Sequence, residues 1–348
     1  MRRSDSGKGV RRRLVELAAR WGITTLLEGV HNRRRSSLLV LAYHRVLQVE
    51  DPDSYPFDPE LISATPEEFA WQMRYLREHM QPVSLSEVVQ HLDEGTALPR
   101  RAVAVTFDDG FVDTYRNAFP VLRELHMPAT VFATTGYVDS PEPFWFELVA
   151  YLMMRIPPWS IRVQDSAHAF PLGPSLDVRR VSIHMLQEIL KGLPDARRTN
   201  LIKEWSRSFA GRIDPAALEL GRPLTWAQVS EMAAAGIEFG SHTVTHPNLT
   251  RLEEPSLLWE LADSKSALER RLGHEIKTLA YPIGTRSAYD TRVMDYAKRA
   301  GFRLAVSYVA GVNWMRELER FELRRQGVSP DISRAWFRAM TTLPAWIG

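Results

Sequence analysis

Short apolar runs alternate with segments that carry helix-start signals along most of this chain. A polar cap precedes a glutamate or glutamine three residues later at 65–68, 84–87 and 225–228, which is the pattern of a helix N-terminus. Strands that alternate with helices pair in parallel, so the pattern predicts an α/β fold, most simply a distorted or partial (β/α) barrel. The predicted strands are 38–43, 102–107, 129–134, 237–241, 277–281 and 302–307.

The first 36 residues differ from the rest of the chain. They are rich in arginine and place Leu14, Leu17 and Trp21 at helical spacing, which predicts a basic N-terminal helical segment over 1–36, ahead of one domain over 37–348. This segment fits a solvated helix packed on the domain better than a helix on an anionic membrane surface, because a single amphipathic stretch is a weak signal.

An insertion interrupts the domain at about 137–222. It is rich in proline and contains two helix-like pieces near 181–192 and 196–209. An excursion of this length is usually functional, so we expect it to form a lid or a substrate wall over one end of the barrel.

Composition excludes several classes of site. The chain has 348 residues, a formal net charge of +2 and no cysteine, which excludes disulfides and thiolate metal sites and gives no reason to expect nucleic acid. The apolar run 38–43 is far shorter than the roughly 20 residues of a membrane span. Glu16, Arg20 and Glu28 argue against a signal peptide, so we expect a cytoplasmic protein, peripheral at the inner membrane face if the basic segment binds lipid.

Two adjacent carboxylates end the second predicted strand. Its apolar run stops at Asp108-Asp109-Gly110. Neighbouring strand residues point to opposite faces, so both side chains can face one site only if the backbone leaves the strand here, as Gly110 permits. Taken alone, the triplet fits a turn with an aspartate cap better than a functional site.

Two histidines after the fourth predicted strand favour a functional site. His242 and His246 have the spacing that suits one metal ion, and Pro247 places them on a loop rather than a helix. The carboxyl ends of barrel strands meet at one face, where the aspartates also lie. Two imidazoles and one carboxylate are typical of a catalytic zinc-type site, in which the ion lowers the pKa of water and the second carboxylate acts as base.

These motifs resemble those of the polysaccharide deacetylases, the NodB-type family also called carbohydrate esterase family four. The resemblance covers roughly residues 38–329. The two strong motifs are 106–110 and 241–247, and 280–284 is a weaker match. The segments 43–46 and 144–147 resemble those of a bacterial branch of the family. It implies a distorted (β/α) barrel with a helical insertion. It also implies a hydrolase that removes acetyl groups from N-acetylated amino sugars of a polysaccharide or its lipid-linked precursor, with an acetylated glycan as partner and a divalent metal, foremost Zn²⁺, as cofactor.

The resemblance also assigns the chemistry to residues. It implies that Asp109, His242 and His246 hold the metal and that Asp108 is the base that activates water. The backbone N–H near Ile283 would help to hold the oxyanion, a role that requires no particular side chain.

Two aromatic residues are candidates for substrate contact. Trp145 and Tyr281 could form a stacking floor beneath a sugar ring. A lone aromatic such as Trp145 more often packs in the core, so we favour core packing for it.

The sequence departs from the family pattern where an arginine often orients the base. Ala280 fills that position. Arg324 or Arg325, after the last predicted strand, is a candidate replacement.

A second departure concerns the general acid. The family usually supplies a late histidine, whereas this sequence has no histidine after His274, which precedes a strand and so lies at the wrong face. His44 follows the first strand and is our candidate, because it should share the face of Asp108 and its pKa range suits proton donation. A structural histidine at the strand end is equally compatible, and Glu147 is a weaker candidate acid.

Two alternatives follow from these departures. An O-acetyl esterase acting on a glycan would need less leaving-group protonation than an amidase. A non-catalytic glycan-binding protein on a decayed deacetylase scaffold would need neither acid nor base, but the retained Asp108 argues against it.

Overall fold

A curled, mainly parallel β-sheet forms the centre of the fold. The computed structural model describes residues 37–51, 53–155, 161–162, 169–170, 175–209, 211 and 213–342. The strands are β1 (Ser37–Tyr43), β2 (Arg45–Val46), β3 (Ile62–Ala64), β4 (Gln81–Pro82), β5 (Ala102–Phe107), β6 (Ala129–Ala133), β7 (Ile161–Arg162), β8 (Ala169–Phe170), β9 (Glu238–Ser241), β10 (Thr278–Ala280), β11 (Leu304–Val306), β12 (Asn313–Trp314) and β13 (Gln326–Gly327). The α-helices are α1 (Pro66–His79), α2 (Leu85–Glu94), α3 (Phe119–Glu124), α4 (Trp145–Arg155), α5 (Leu176–Gly192), α6 (Asp195–Ser208), α7 (Pro215–Leu218), α8 (Trp226–Ala234), α9 (Glu254–Leu272), α10 (Thr291–Arg299) and α11 (Arg334–Thr342).

The predicted basic segment 1–36 lies outside the described residues. Among the residues that are described, we find no helix with both the length and the apolar character needed to cross a membrane.

Strand pairing confirms the predicted parallel sheet. The order is β11-β10-β9-β6-β5-β1, and each of these neighbours pairs in parallel. β4 runs parallel to the start of β5, whereas β12 pairs antiparallel with β1. Because the six strands share one direction, their carboxyl ends meet at one edge, and the loops that follow β1, β5, β9 and β10 lie there.

An irregular segment over 320–327 joins the two edges of the curled sheet. On the β11 side, Leu323 N donates to Ala305 O at 3.1 Å and Ser307 N donates to Leu323 O at 2.8 Å. On the other side, β13 pairs in parallel with β1. The segment therefore turns an open sheet into a distorted barrel, and it brings Arg325 into the buried interior.

Alternating side chains build one apolar cluster inside the barrel and another outside it. Along β5, Val103, Val105 and Phe107 join the outer cluster beneath the helices, whereas Ala102 and Ala104 join the inner one. Helix α2 adds its apolar face to the inner cluster, next to the start of the strands. The opposite end of the barrel is thus left for the polar residues at the strand ends.

The segment 137–222 forms a helical layer whose apolar cluster also includes Tyr55, Phe57, Ile62 and Phe111. Helices α5 and α6 match the predicted pieces near 181–192 and 196–209, and both pack against α4. Fully buried Arg45 links this layer to the barrel: its Nε donates to Asp113 Oδ2 at 2.8 Å, and its Nη1 donates to Glu147 Oε1 at 3.1 Å. The insertion is therefore anchored beside the carboxyl end of β1.

A substitution at Gly240 of β9 would test the packing inside the barrel. A Cβ at this position would lie 2.5 Å from both the Phe132 ring and Thr278 Oγ1, which belong to the flanking strands. We expect Gly240→Ala to lower the free energy of unfolding by about 1–3 kcal/mol, as overpacking does, when measured by chemical denaturation. Gly192→Ala is the matched control, because its Cβ would meet no atom within 4 Å. Equal stability of the two variants would contradict the packing described here.

Candidate active site

A cavity of about 450 Å³ opens at the carboxyl ends of the strands. It brings together most of the residues singled out from the sequence, and its lining includes His44, Asp108, Asp109, His242, His246, Tyr281 and Ile283. Helix α5 contributes one wall through Gln187 and Lys191.

A left-handed turn directs both aspartates into this cavity. The backbone N–H of Asp108 still donates to Tyr43 O at 2.9 Å, as a continuation of the sheet. Asp109 then adopts a φ of +69° and Gly110 a φ of +87°. The sequence pointed to Gly110 as the residue that frees the backbone, but Asp109 itself takes the left-handed conformation, which is rare for a residue with a side chain. Both carboxylates are consequently buried side by side.

Asp109 and the two histidines form a compact three-residue group. Asp109 Oδ1 lies 3.4 Å from the Nε2 atom of His242 and 3.4 Å from that of His246. His242 Nδ1 lies 2.8 Å from the carbonyl oxygen of Ala280, and this contact leaves Nε2 as the nitrogen that faces the carboxylate. Candidate ligand atoms of all three residues lie within 4.8 Å of one another.

The chemistry of this group fits a divalent cation. Asp109 Oδ1 is buried without a hydrogen-bond partner among the described residues, which is costly unless a cation compensates it. Burial lowers the pKa of His246 to about 3, so its imidazole is neutral and its lone pair is available. Burial raises the pKa of Asp109, but the neighbouring His242 imidazole outweighs burial and lowers that pKa, which keeps the carboxylate ionised. One anion and a neutral imidazole beside a second imidazole form a set that divalent metals bind.

The second carboxylate, Asp108, is held by a buried arginine. Arg325 donates from Nη1 to Oδ1 and from Nη2 to Oδ2, both at 2.7 Å, and from Nε to the carbonyl oxygen of Ser307 at 2.7 Å. Burial by itself raises the pKa of Asp108, but the guanidinium outweighs burial and holds that pKa well below its usual range. Asp108 is therefore an oriented, ionised carboxylate beside the three-residue group.

The structure distinguishes between the two candidate arginines. Arg325 contacts Asp108, whereas Arg324 points outward and lines a separate cavity with Asn313 and Trp314. Successive residues of an extended segment face opposite sides, which explains why adjacent arginines have such different surroundings.

His44 lies where the sequence predicted. Its Nε2 is 4.0 Å from Asp108 Oδ2, its side chain is 19% exposed, and its ring centroid is 5.4 Å from that of Tyr308. The imidazole thus faces the cavity and reaches solvent.

Three other candidate residues do not have the surroundings expected of a residue that contacts substrate. Glu147 is fully buried against Arg45, so the idea that it donates a proton to substrate is wrong. Trp145 is 5% exposed and donates from Nε1 to His246 O, so core packing rather than a sugar floor describes it. Tyr281 is at the cavity wall but only 1% exposed, its hydroxyl donates to Phe321 O and its ring stacks on Tyr289, so the ring is not open to a sugar.

Two residues at the site were missed from the sequence. Tyr308 lines the cavity beside His44, and Glu260 of α9 binds the loop between the two histidines. A lone tyrosine after a short strand and a glutamate in a charged helix carry no local signal, because their roles arise only from tertiary contacts.

The Asp108–Arg325 pair generates a prediction about stability. We expect Arg325→Met to lower the free energy of unfolding by about 3–5 kcal/mol at pH 7, because it leaves a buried carboxylate unpaired. The folded pKa of Asp108 is depressed, so the pair stabilises the protein above the unfolded pKa of about 4 and less as pH falls towards the folded pKa. The difference in free energy of unfolding between wild type and Arg325→Met should therefore become smaller at acidic pH, when chemical denaturation is measured as a function of pH. Arg324→Met is the neighbouring control and should change stability by less than about 0.5 kcal/mol. An equal loss in both variants would contradict the assigned pairing.

Comparisons with known proteins agree with this geometry. The family model for polysaccharide deacetylases matches residues 95–305, more than half of the chain. The chain is 22% identical to the putative polysaccharide deacetylase YxkH of Bacillus subtilis over 78% of its own length and 68% of that protein. It is 33% identical to the poly-beta-1,6-N-acetyl-D-glucosamine N-deacetylase of Staphylococcus epidermidis, but this match spans 30% of this chain and 39% of the relative.

Solved structures show the same architecture. The deacetylase PplD of Streptococcus pyogenes, in complex with acetate, superposes with a TM-score of 0.57 at 21% identity, over 86% of this chain and 95% of that one. IcaB from Ammonifex degensii superposes with a TM-score of 0.56 at 22% identity, over 88% and 97% of the two chains. The predicted distorted (β/α) barrel is confirmed, and this chain belongs to the polysaccharide deacetylase family.

Proposed function

We propose that this polysaccharide deacetylase is a metal-dependent hydrolase that removes acetyl groups from N-acetylated amino sugars, within a polysaccharide or its lipid-linked precursor. The observation that carries the proposal is the buried Asp109–His242–His246 group next to a second carboxylate that an arginine orients. The relatives named as N-acetyl-D-glucosamine N-deacetylases support the choice of an amino sugar.

We assign the metal to Asp109, His242 and His246, and we propose Zn²⁺ as the ion, because two imidazoles and one carboxylate match its catalytic sites. When bound, such an ion polarises the acetyl carbonyl and makes water acidic enough to be a nucleophile near neutral pH. Asp109, His242 and His246 all line the cavity, which is where an acetamido group would enter.

Asp108 is the proposed general base. Its carboxylate is ionised, and Arg325 fixes its orientation. It would take the proton from the attacking water as the new C–O bond forms. Arg325 prevents rotation of the carboxylate, so the base is already oriented before substrate binds.

His44 is the proposed general acid and Ile283 the proposed oxyanion donor. The imidazole of His44 would give its proton to the amine as the C–N bond breaks, and its access to solvent allows it to be protonated again. Ile283 has a φ of +66° in the turn after β10, at the cavity wall, and its N–H makes no hydrogen bond within the described residues. That free donor is suited to the negative charge that develops on the carbonyl oxygen.

Separating metal binding from turnover tests the assigned roles of the two aspartates. We expect Asp108→Asn to abolish acetate release while one metal ion still binds per chain. Asp109→Asn and His242→Ala should lose metal and turnover together, because each removes a ligand. Metal content by atomic emission and acetate release from N-acetylglucosamine oligomers provide the measurements. Metal lost from Asp108→Asn but retained by Asp109→Asn would show that the two roles are reversed.

The acid role of His44 has its own test. We expect His44→Ala to lower kcat by about 10²–10⁴-fold with bound metal unchanged, which is the usual contribution of a general acid. The deficit should be smaller with an O-acetylated substrate, since an alkoxide leaves more readily than an amide anion. His79→Ala, on the outer helix α1, is the control and should retain wild-type kcat. Wild-type rates in His44→Ala would remove this histidine from the mechanism.

A further inference from the structure

The loop that joins His242 to His246 has a strained backbone. Thr243 has a φ of +68° and His246 a φ of +57°, and neither is a glycine. Residues held in this region cost on the order of 1–3 kcal/mol each, so the conformation persists only where the surroundings impose it. The spacing of the two histidine nitrogens therefore depends on whatever holds the loop.

Glu260 of helix α9 provides a large part of that support. Its Oε2 accepts hydrogen bonds from the backbone N–H groups of Val244 at 2.7 Å and Thr245 at 3.0 Å. Its Oε1 accepts a third bond from the Thr245 hydroxyl. One side chain thus binds two of the three residues that lie between the histidines.

The carboxylate of Glu260 is buried and is compensated by the loop itself. The residue is 3% exposed, and within the described part of the chain no lysine, arginine or histidine forms an ion pair with it. A buried carboxylate without a cation relies on hydrogen-bond donors, which here come from the loop. The contact is consequently mutual: the loop solvates the carboxylate, and the carboxylate fixes the loop.

Helix α9 also holds the start of the same loop. Ser264, one turn after Glu260, lies 2.7 Å from the hydroxyl of Ser241, which accepts the N–H of Thr243 at 3.0 Å. Ser264 also donates to the Glu260 carbonyl oxygen at 2.7 Å. Helix α9 therefore holds the start of the loop through Ser264 and the residues that follow through Glu260.

We infer that Glu260 is a positioning residue of the metal centre, which fixes the loop so that His242 and His246 present their nitrogens to one ion. The inference rests on the proposed metal site. Without Glu260 the loop would relax from its left-handed conformation, and metal binding would have to restore it. Partners that orient ligands in this way typically contribute about 10–100-fold to metal affinity.

Two conservative variants separate geometry from charge. Glu260→Gln keeps the length of the side chain, and its amide can accept both backbone N–H groups and donate to the Thr245 hydroxyl. Glu260→Asp keeps the charge but is one methylene shorter and cannot reach the loop in the same way. We expect the Kd for Co²⁺, titrated by visible absorbance, to stay within about 3-fold of wild type in Glu260→Gln and to rise at least about 10-fold in Glu260→Asp.

A second readout needs no metal. In the metal-free protein, the amides of Val244 and Thr245 should exchange with deuterium faster in Glu260→Asp than in wild type, and at the wild-type rate in Glu260→Gln. Asp290→Ala is the control for a general loss of stability, because Asp290 caps α10 by accepting the Val293 N–H at 2.8 Å and does not contact the loop. It should leave the Co²⁺ Kd and the two exchange rates unchanged.

The outcomes distinguish the inference from the proposed function. Wild-type Co²⁺ affinity and wild-type amide exchange in Glu260→Asp would overturn the role of Glu260 while the metal site stands. Failure of the wild-type protein itself to bind Co²⁺ would overturn the metal site and, with it, the positioning role. Weakened binding in Asp290→Ala equal to that in Glu260→Asp would show a general effect of stability and would also overturn the inference.

Discussion

The buried ion pair between Asp108 and Arg325 is the contact on which the site depends. It joins the end of β5 to the irregular segment that closes the barrel, and Arg325 Nε also binds Ser307 O just after β11. A buried ion pair is stabilising only when its geometry is good and its hydrogen bonds are satisfied, and this one is bidentate with a third bond to the backbone. One interaction thus ties the closing segment to the end of β5 and keeps the Asp108 carboxylate ionised.

Backbone strain is concentrated around the same cavity. Asp109, Thr243, His246 and Ile283 have φ values of +69°, +68°, +57° and +66°, and each contributes to the cavity or to the loop between the histidines. A strained backbone conformation at a functional site persists because the surrounding structure holds it in place. Here the sheet edge, Glu260 and the turn after β10 hold the backbone. The rigid barrel therefore stabilises the strained backbone that directs two carboxylates, two imidazoles and one backbone N–H into one cavity.

Local signals in the sequence accounted for the strands, the capped helices and the grouping of Asp108, Asp109, His242 and His246, because apolar runs, caps and strand ends are local features. The sequence limited the arginine that would orient Asp108 to Arg324 or Arg325. It could not decide between them, because which of the two faces inward depends on the backbone of a short, irregular segment. The same limit explains Glu147, whose burial against Arg45 depends on how the insertion packs, and Glu260, whose partners are fifteen and sixteen residues away.

The most direct test of the proposed function is acetate release from N-acetylglucosamine oligomers, measured with metal-free protein and again after addition of Zn²⁺ or Co²⁺. We expect no acetate release without metal, release after addition of one equivalent of metal, and none from Asp108→Asn with metal bound. Release that is unaffected by metal removal, or no release from protein that binds one ion per chain while O-acetylated oligomers are hydrolysed, would contradict it.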